Sequence, residues 1–272
     1  MESPRVCAIY WDAYLDSHRN IYSLMDKFFT QILTGSFMDR LQQYGVGDGY
    51  FIGSTPIPID PNDQPPLLLT RDYIETQLRK WIDEGKVTSR PTPDEKNLLY
   101  VIFTPSTTSV GECLCGYHQS GRYGNAPGDD NLFWAVIQQW HNHAPQKPAT
   151  DREFVDSCSW CVSHEMVEAF TNRDQRGYHT CDGCEIGDIC ECAQGAEIIK
   201  TQVDGWWVET YWDNENQSCY PLHVVPQGTR PVGYVGANGG ANGGANGGRR
   251  GANGGRRGAN GGRRGANGGR TG

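Results

Sequence analysis

The segment from Thr150 to Asn172 restricts the fold of this chain more than any other. Thr150 followed three residues later by Glu153 makes a capping box, and Asp151 adds a negative charge to the first turn, where the helix dipole favours it. The pattern predicts a helix running to about Thr171. Val155, Cys158, Val162, Met166, Ala169 and Phe170 supply its buried side, while positions 161, 164, 165 and 168 share one face. His164 therefore falls in the third or fourth turn, away from the fraying ends, and the remaining elements are scaffold around it.

An imidazole and a carboxylate four residues apart lie one above the other on a helix, so His164 and Glu168 can reach a single metal ion. With Glu165 beside them, this is the HExxH arrangement of zinc peptidases with Glu in place of the second His. Glu165 is then free to act as general base for water at the metal. The plainer alternative is a surface helix with two solvated glutamates and a hydrogen-bonded histidine. One histidine with two carboxylates is more anionic than a two-histidine pair, so Zn²⁺ would be a weaker Lewis acid there, and Mn²⁺ or Ca²⁺ would be accepted more readily.

Elsewhere the chain reads as core and connection. Val6 to Trp11 is a short apolar strand, and Ile21, Leu24, Met25, Phe28, Phe29, Ile32 and Leu33 recur at helical spacing. Phe37, Met38 and Leu41 continue a shorter helical face, and Ile52 to Pro66 reads as a loop. A further helix begins at a Thr70 cap, buries Ile74, Leu78, Trp81 and Ile82, and ends before Gly85. Leu98 to Thr104 is apolar throughout, which predicts a strand covered on both faces, and Leu132 to Ile137 is another strand.

His118, between those two strands, is an outlying ligand candidate, although a histidine so placed is more often a hydrogen-bonded structural residue. His141 and His143 read as solvated loop residues. Asp182-Gly183 is a hairpin signal that predicts a returning strand, Cys184 to Cys190, from which Glu185 or Asp188 would supply a third ligand. Ile198 to Val203 and Trp206 to Trp212, joined by Asp204-Gly205, predict a second hairpin. Cys158-x-x-Cys161 and Cys181-x-x-Cys184 come close to a four-cysteine zinc site, with two disulfides, or one between Cys181 and Cys184, as the alternative.

Composition sets outer bounds. The net charge is −8, and the seven arginines after residue 235 leave the body at −15, which disfavours nucleic-acid binding by the body. Ten cysteines, nine of them from Cys113 onward, point to disulfides or metal, whereas Met1-Glu2-Ser3-Pro4-Arg5 lacks the pattern of a secretory leader. No apolar run reaches membrane-spanning length. Residues 236–272 repeat Ala-Asn-Gly-Gly and then Arg-Arg-Gly-Ala-Asn-Gly-Gly, a composition expected to be disordered. Without aromatics to stack bases, weak RNA contact is the most this tail would add. Two units follow: a globular domain over 1–235 and the tail over 236–272.

Taken in order, several blocks resemble one family: Gly116-Tyr117-His118-Gln119-Ser120, the HExxE helix running into Thr171-Asn172, Glu185-Ile186-Gly187-Asp188-Ile189-Cys190, and a tryptophan-containing strand before Cys219. They are similar to the phosphate-induced, EXORDIUM-type proteins of plants and to secreted bacterial proteins described as metallopeptidases. The resemblance covers most of Val6 to Cys219 and is sharp only in those blocks. It implies an α+β, zincin-like single domain with a mixed sheet and a central metal-binding helix, extracellular, acting on a peptide or protein substrate or serving as a non-catalytic surface protein. Carried over by position, it implies site roles for His118, His164, Glu165, Glu168, Glu185 and Asp188, and a disulfide between Cys190 and Cys219. Arg173 replaces the family's proline after Thr-Asn, and the cysteines at 158, 161, 181 and 184 lie outside the shared blocks.

Overall fold

The computed structural model describes residues 1–11, 19–111, 115–124, 130–138, 150–180, 183–193, 200–221 and 234–235. The proposed tail, the loop histidines at 141 and 143, and Cys181 lie outside the described residues, so the expectations attached to them stay as expectations.

A five-stranded sheet forms the frame. In chain order its strands are β1 (Arg5–Tyr10), β2 (Tyr50–Pro56), β3 (Leu98–Phe103), β4 (Gly116–Gly121) and β5 (Leu132–Ile137), and across the sheet they run β2-β1-β3-β5-β4. The first four positions are parallel, and β4 closes one edge antiparallel to β5. The apolar run of β3 lies at the centre with all six residues buried, as continuous hydrophobicity requires of a strand covered on both faces. The expected loop at 52–66 is shorter than its composition suggests, because its first residues belong to β2. An edge strand tolerates Gly53 and Pro56, and the register shift opposite Val6 and Cys7 takes up the irregularity.

Alternation in the strands divides the core in two. Cys7, Ile9, Leu98, Tyr100, Ile102, Trp134 and Val136 face helix α2 (Arg71–Asp83), which brings Ile74, Leu78, Trp81 and Ile82. Thr70 caps α2, its hydroxyl accepting from the Tyr73 amide at 3.3 Å. Val6, Ala8, Leu99, Val101, Phe133, Ala135 and Ile137 face the opposite layer, built from α1 (Arg19–Ile32), a 3-10 helix (Ser36–Tyr44) and the long helix α3 (Asp151–Asn172). The capping box of α3 is present in full. Among the described residues, no helix is long and apolar enough to cross a membrane.

Two small elements close over α3. The predicted hairpin forms as β7 (Lys200–Val203) and β8 (Trp206–Glu209), turning through Asp204 and Gly205 with φ of 52° and 82°. It is fixed to α3 where the Ser159 hydroxyl donates to the Trp207 carbonyl at 2.6 Å and the Glu209 amide donates to the Ser163 hydroxyl at 2.8 Å.

The strand expected over 184–190 does not form. Glu185 makes a single bridge to His179 in the two-residue strand β6 (His179–Thr180), and Asp188–Ala193 is a short helix, α4. Ile186, Ile189 and Cys190 are all buried, and their three- and four-residue spacing suits a helix rather than a strand. Among the ties that hold this segment are the bridge at Glu185, the Trp212 amide donating to the Ile186 carbonyl at 2.8 Å, and a disulfide from Cys190 to Cys219 in β10 (Ser218–Tyr220), which pairs with β9 (Tyr211–Asp213).

Candidate metal centre

Four elements converge on one site. From α3 come His164, Glu165 and Glu168. His118 comes from β4, where its cross-strand partner is Ala135, a residue of the α3-side core, so the imidazole points from the sheet toward the helix. Glu185 and Asp188 enter from the α4 segment, and Glu209 from the end of β8.

Two groups form around one shared carboxylate. His164 Nε2 lies 3.3 Å from Glu168 Oε1 and 3.7 Å from Asp188 Oδ1. His118 Nδ1 lies 3.5 Å from Glu165 Oε2 and 3.7 Å from Glu168 Oε2. Ligand atoms bound tetrahedrally at about 2.0–2.1 Å from zinc stand about 3.3 Å from each other. The residues present therefore fit a cation, and within each triad all three ligand atoms lie within 4.8 Å of one another. One imidazole with two carboxylates suits Zn²⁺ and Mn²⁺ alike.

The second nitrogen of each ring faces another carboxylate. His164 Nδ1 is 3.2 Å from Glu209 Oε1, and His118 Nε2 is 3.5 Å from Glu185 Oε1. Glu185 is itself positioned by Asn172, whose amide donates to Oε1. The α4 turn meets the helix from above: the Asp188 amide donates to Glu168 Oε1 at 3.3 Å, and a methyl group added at Gly187 would sit 2.8 Å from His164 Nδ1 and 2.9 Å from Glu168 Oε1. Only glycine allows that approach.

Five carboxylates and two imidazoles in one buried cluster leave an excess of negative charge. Burial lowers the pKa of His118, but its hydrogen bond to Glu165 and the charges of Glu185 and Glu168 outweigh that and hold it up at about 9. Burial likewise opposes protonation of His164, yet Glu168 and Glu209 raise its pKa well above the usual value. Glu168 is pushed up to about 7 by burial, with His164 pulling the other way. Even so, His118 Nε2, His164 Nδ1 and both oxygens of Glu209 have no hydrogen-bond partner of good geometry. A cation compensates such a cluster directly. Exposure rises toward α4, from 4–5% for the side chains of His118, Glu165 and Glu168 to 20% for Glu185 and 37% for Asp188. A separate concavity at the far end of α3, lined by Met1, Tyr44, Phe170, Arg173 and Tyr178, contains none of the cluster.

All six residues singled out in the sequence are brought together, His118 included, a strand residue whose ring lies among carboxylates. Glu209 was missed. It follows Trp206, Trp207 and Val208 in a hairpin strand, and nothing in the linear pattern marks it as inward. The four-cysteine zinc arrangement does not form, because Cys161 is bonded to Cys115. No family model and no curated protein matches this chain.

Proposed function

We propose that this protein is a metal-dependent hydrolase of the peptidase type, with His164, Glu168 and Asp188 as ligands. The observation that carries the proposal is the convergence of those three ligand atoms, at zinc-like separations, with Glu165, which faces His118, outside the triad. A Zn²⁺ ion held there would polarise an acyl carbonyl and lower the pKa of water from about 16 to about 7. Glu209, with Oε1 3.2 Å from Nδ1 of His164, favours the tautomer that carries its proton on Nδ1 and leaves Nε2 free to bind metal. Glu165 accepts the proton of the attacking water and returns it to the leaving amine. The α+β frame, with a mixed sheet whose antiparallel edge strand lies beside the metal-binding helix, suits a zincin-like assignment. The EXORDIUM-type resemblance belongs to the same proposal, with an extracellular setting that suits the two disulfides.

The test is Glu165→Gln in zinc-loaded protein assayed against a mixed fluorogenic peptide library. Turnover falls by about 10²–10⁴-fold while the ion of the His164 group stays bound. Unchanged turnover ends the assignment of Glu165.

A second reading is favoured by the 4% exposure of Glu165 and the 5% exposure of His118: a non-catalytic, EXORDIUM-like surface protein in which the ion is structural. The two separate on Co²⁺-substituted protein. A catalytic centre changes its visible spectrum when a small hydroxamate is added, and a closed structural site does not.

A further inference from the structure

We infer that the cluster binds two divalent cations, bridged by the carboxylate of Glu168. This deepens the hydrolase reading by giving the same site a second ion. The argument is the near-symmetry of the two triads. Glu168 turns Oε1 toward His164 Nε2 at 3.3 Å and Oε2 toward His118 Nδ1 at 3.7 Å, so its two oxygens address two different imidazoles. Each seat then has its own further carboxylate: Asp188 Oδ1 at 3.7 Å from the nitrogen of the first, and Glu165 Oε2 at 3.5 Å from that of the second.

Behind each ring stands a further carboxylate, Glu209 at 3.2 Å behind His164 and Glu185 at 3.5 Å behind His118. A metal-bound histidine characteristically has its other nitrogen hydrogen-bonded to such a group. Here both rings have a carboxylate in that position, 3.2 and 3.5 Å away though short of hydrogen-bond geometry, around one shared residue. His118 is the independent pointer to the second seat: its side chain is 4% exposed, its Nδ1 faces Glu165 Oε2 and Glu168 Oε2 together, and its Nε2, beside Glu185, has no hydrogen-bond partner, so the buried ring is left unsatisfied within the cluster.

A carboxylate bridging through both oxygens holds two ions about 3.5–4 Å apart, the separation at which paired metals act together on the attacking and leaving oxygens of one displacement. Two divalent ions also answer the charge of the cluster better than one, since five carboxylates surround the two rings. With both ions bound, Glu165 is a ligand, and its role as base belongs to the singly loaded state.

The test is equilibrium dialysis of the full, metal-stripped chain against Mn²⁺, with metal analysis and electron paramagnetic resonance. The expected result is saturation at two ions per chain with an exchange-coupled spectrum whose hyperfine spacing is half that of isolated Mn²⁺. His118→Gln, with its fold checked by circular dichroism, is expected to hold one uncoupled ion. Saturation of the wild type at one ion per chain, or at two ions without coupling, overturns the bridge while leaving the single-metal hydrolase standing. Saturation at none removes both. The wild-type count stands whether or not the variant folds.

Discussion

The two faces of the central sheet are built on opposite terms. Against α2 the buried contacts are apolar and aromatic, with Trp81 and Trp11 rings 5.0 Å apart and Trp134, Tyr100 and Ile102 beneath them. Against α3 the same strands support an apolar layer that is opened to admit His118, His164, Glu165, Glu168 and Glu209. A buried, poorly compensated carboxylate costs several kcal/mol, so the first face stabilises the fold and the second consumes part of that stability. The departure from an apolar core is confined to one side of one sheet.

Truncating the apolar face gives the largest effect. Trp81→Ala is expected to cost about 3–5 kcal/mol in denaturant unfolding while leaving the metal count unchanged; a lost metal count would show that the faces are not separate. Next comes the disulfide that ties α4 to β10 on the charged face. Replacing both Cys190 and Cys219 by serine opens a loop spanning 29 residues and is expected to lower stability by about 3 kcal/mol, with a weakened Asp188 ligand seen as a poorer metal affinity.

Metal itself should narrow the difference between the faces. At a hundredfold excess over its dissociation constant, a bound ion adds about 2.7 kcal/mol, read as a rise in Tm that EDTA reverses. The sign of the pH dependence sharpens this. In metal-free protein, Glu168 at about 7 and His118 at about 9 both sit above their ordinary values, so the folded state holds more protons than the unfolded one. The contribution of His118 is fully present below about 6.5 and is lost as pH rises through about 9, while the penalty on ionised Glu168 sets in above about 4.5. Metal-free stability should therefore fall from pH 4.5 to 9, whereas metal affinity should rise over the same range, because the ligands bind deprotonated. The smallest effect is at the start of α3, where Thr150→Ala is expected to cost about 1 kcal/mol through the lost cap.

Much of the frame was legible because it rests on local patterns: the capped helix with His164, the continuous run of β3, and the hairpin through Asp204-Gly205 each depend on neighbours a few residues apart. The errors came where distant partners decide. The segment after Asp182-Gly183 read as a strand, but it bridges His179 only at Glu185, turns, and enters a short helix at Asp188, with Ile186 and Ile189 both buried. His118 acquired its meaning from pairing with β5, and Glu209 from Ser163 binding its amide across 46 residues. Cysteine spacing could not fix Cys115 with Cys161, whereas the pairing of Cys190 with Cys219 followed from the family resemblance rather than from the residues themselves.

The most direct test is the metal content of purified protein after dialysis against buffered Zn²⁺, wild type beside Glu168→Ala. Since Glu168 serves both histidines, the wild type should retain at least one tightly bound ion per chain and the folded variant none. A metal-free wild type, or a variant that holds as much metal as the wild type, would contradict the account.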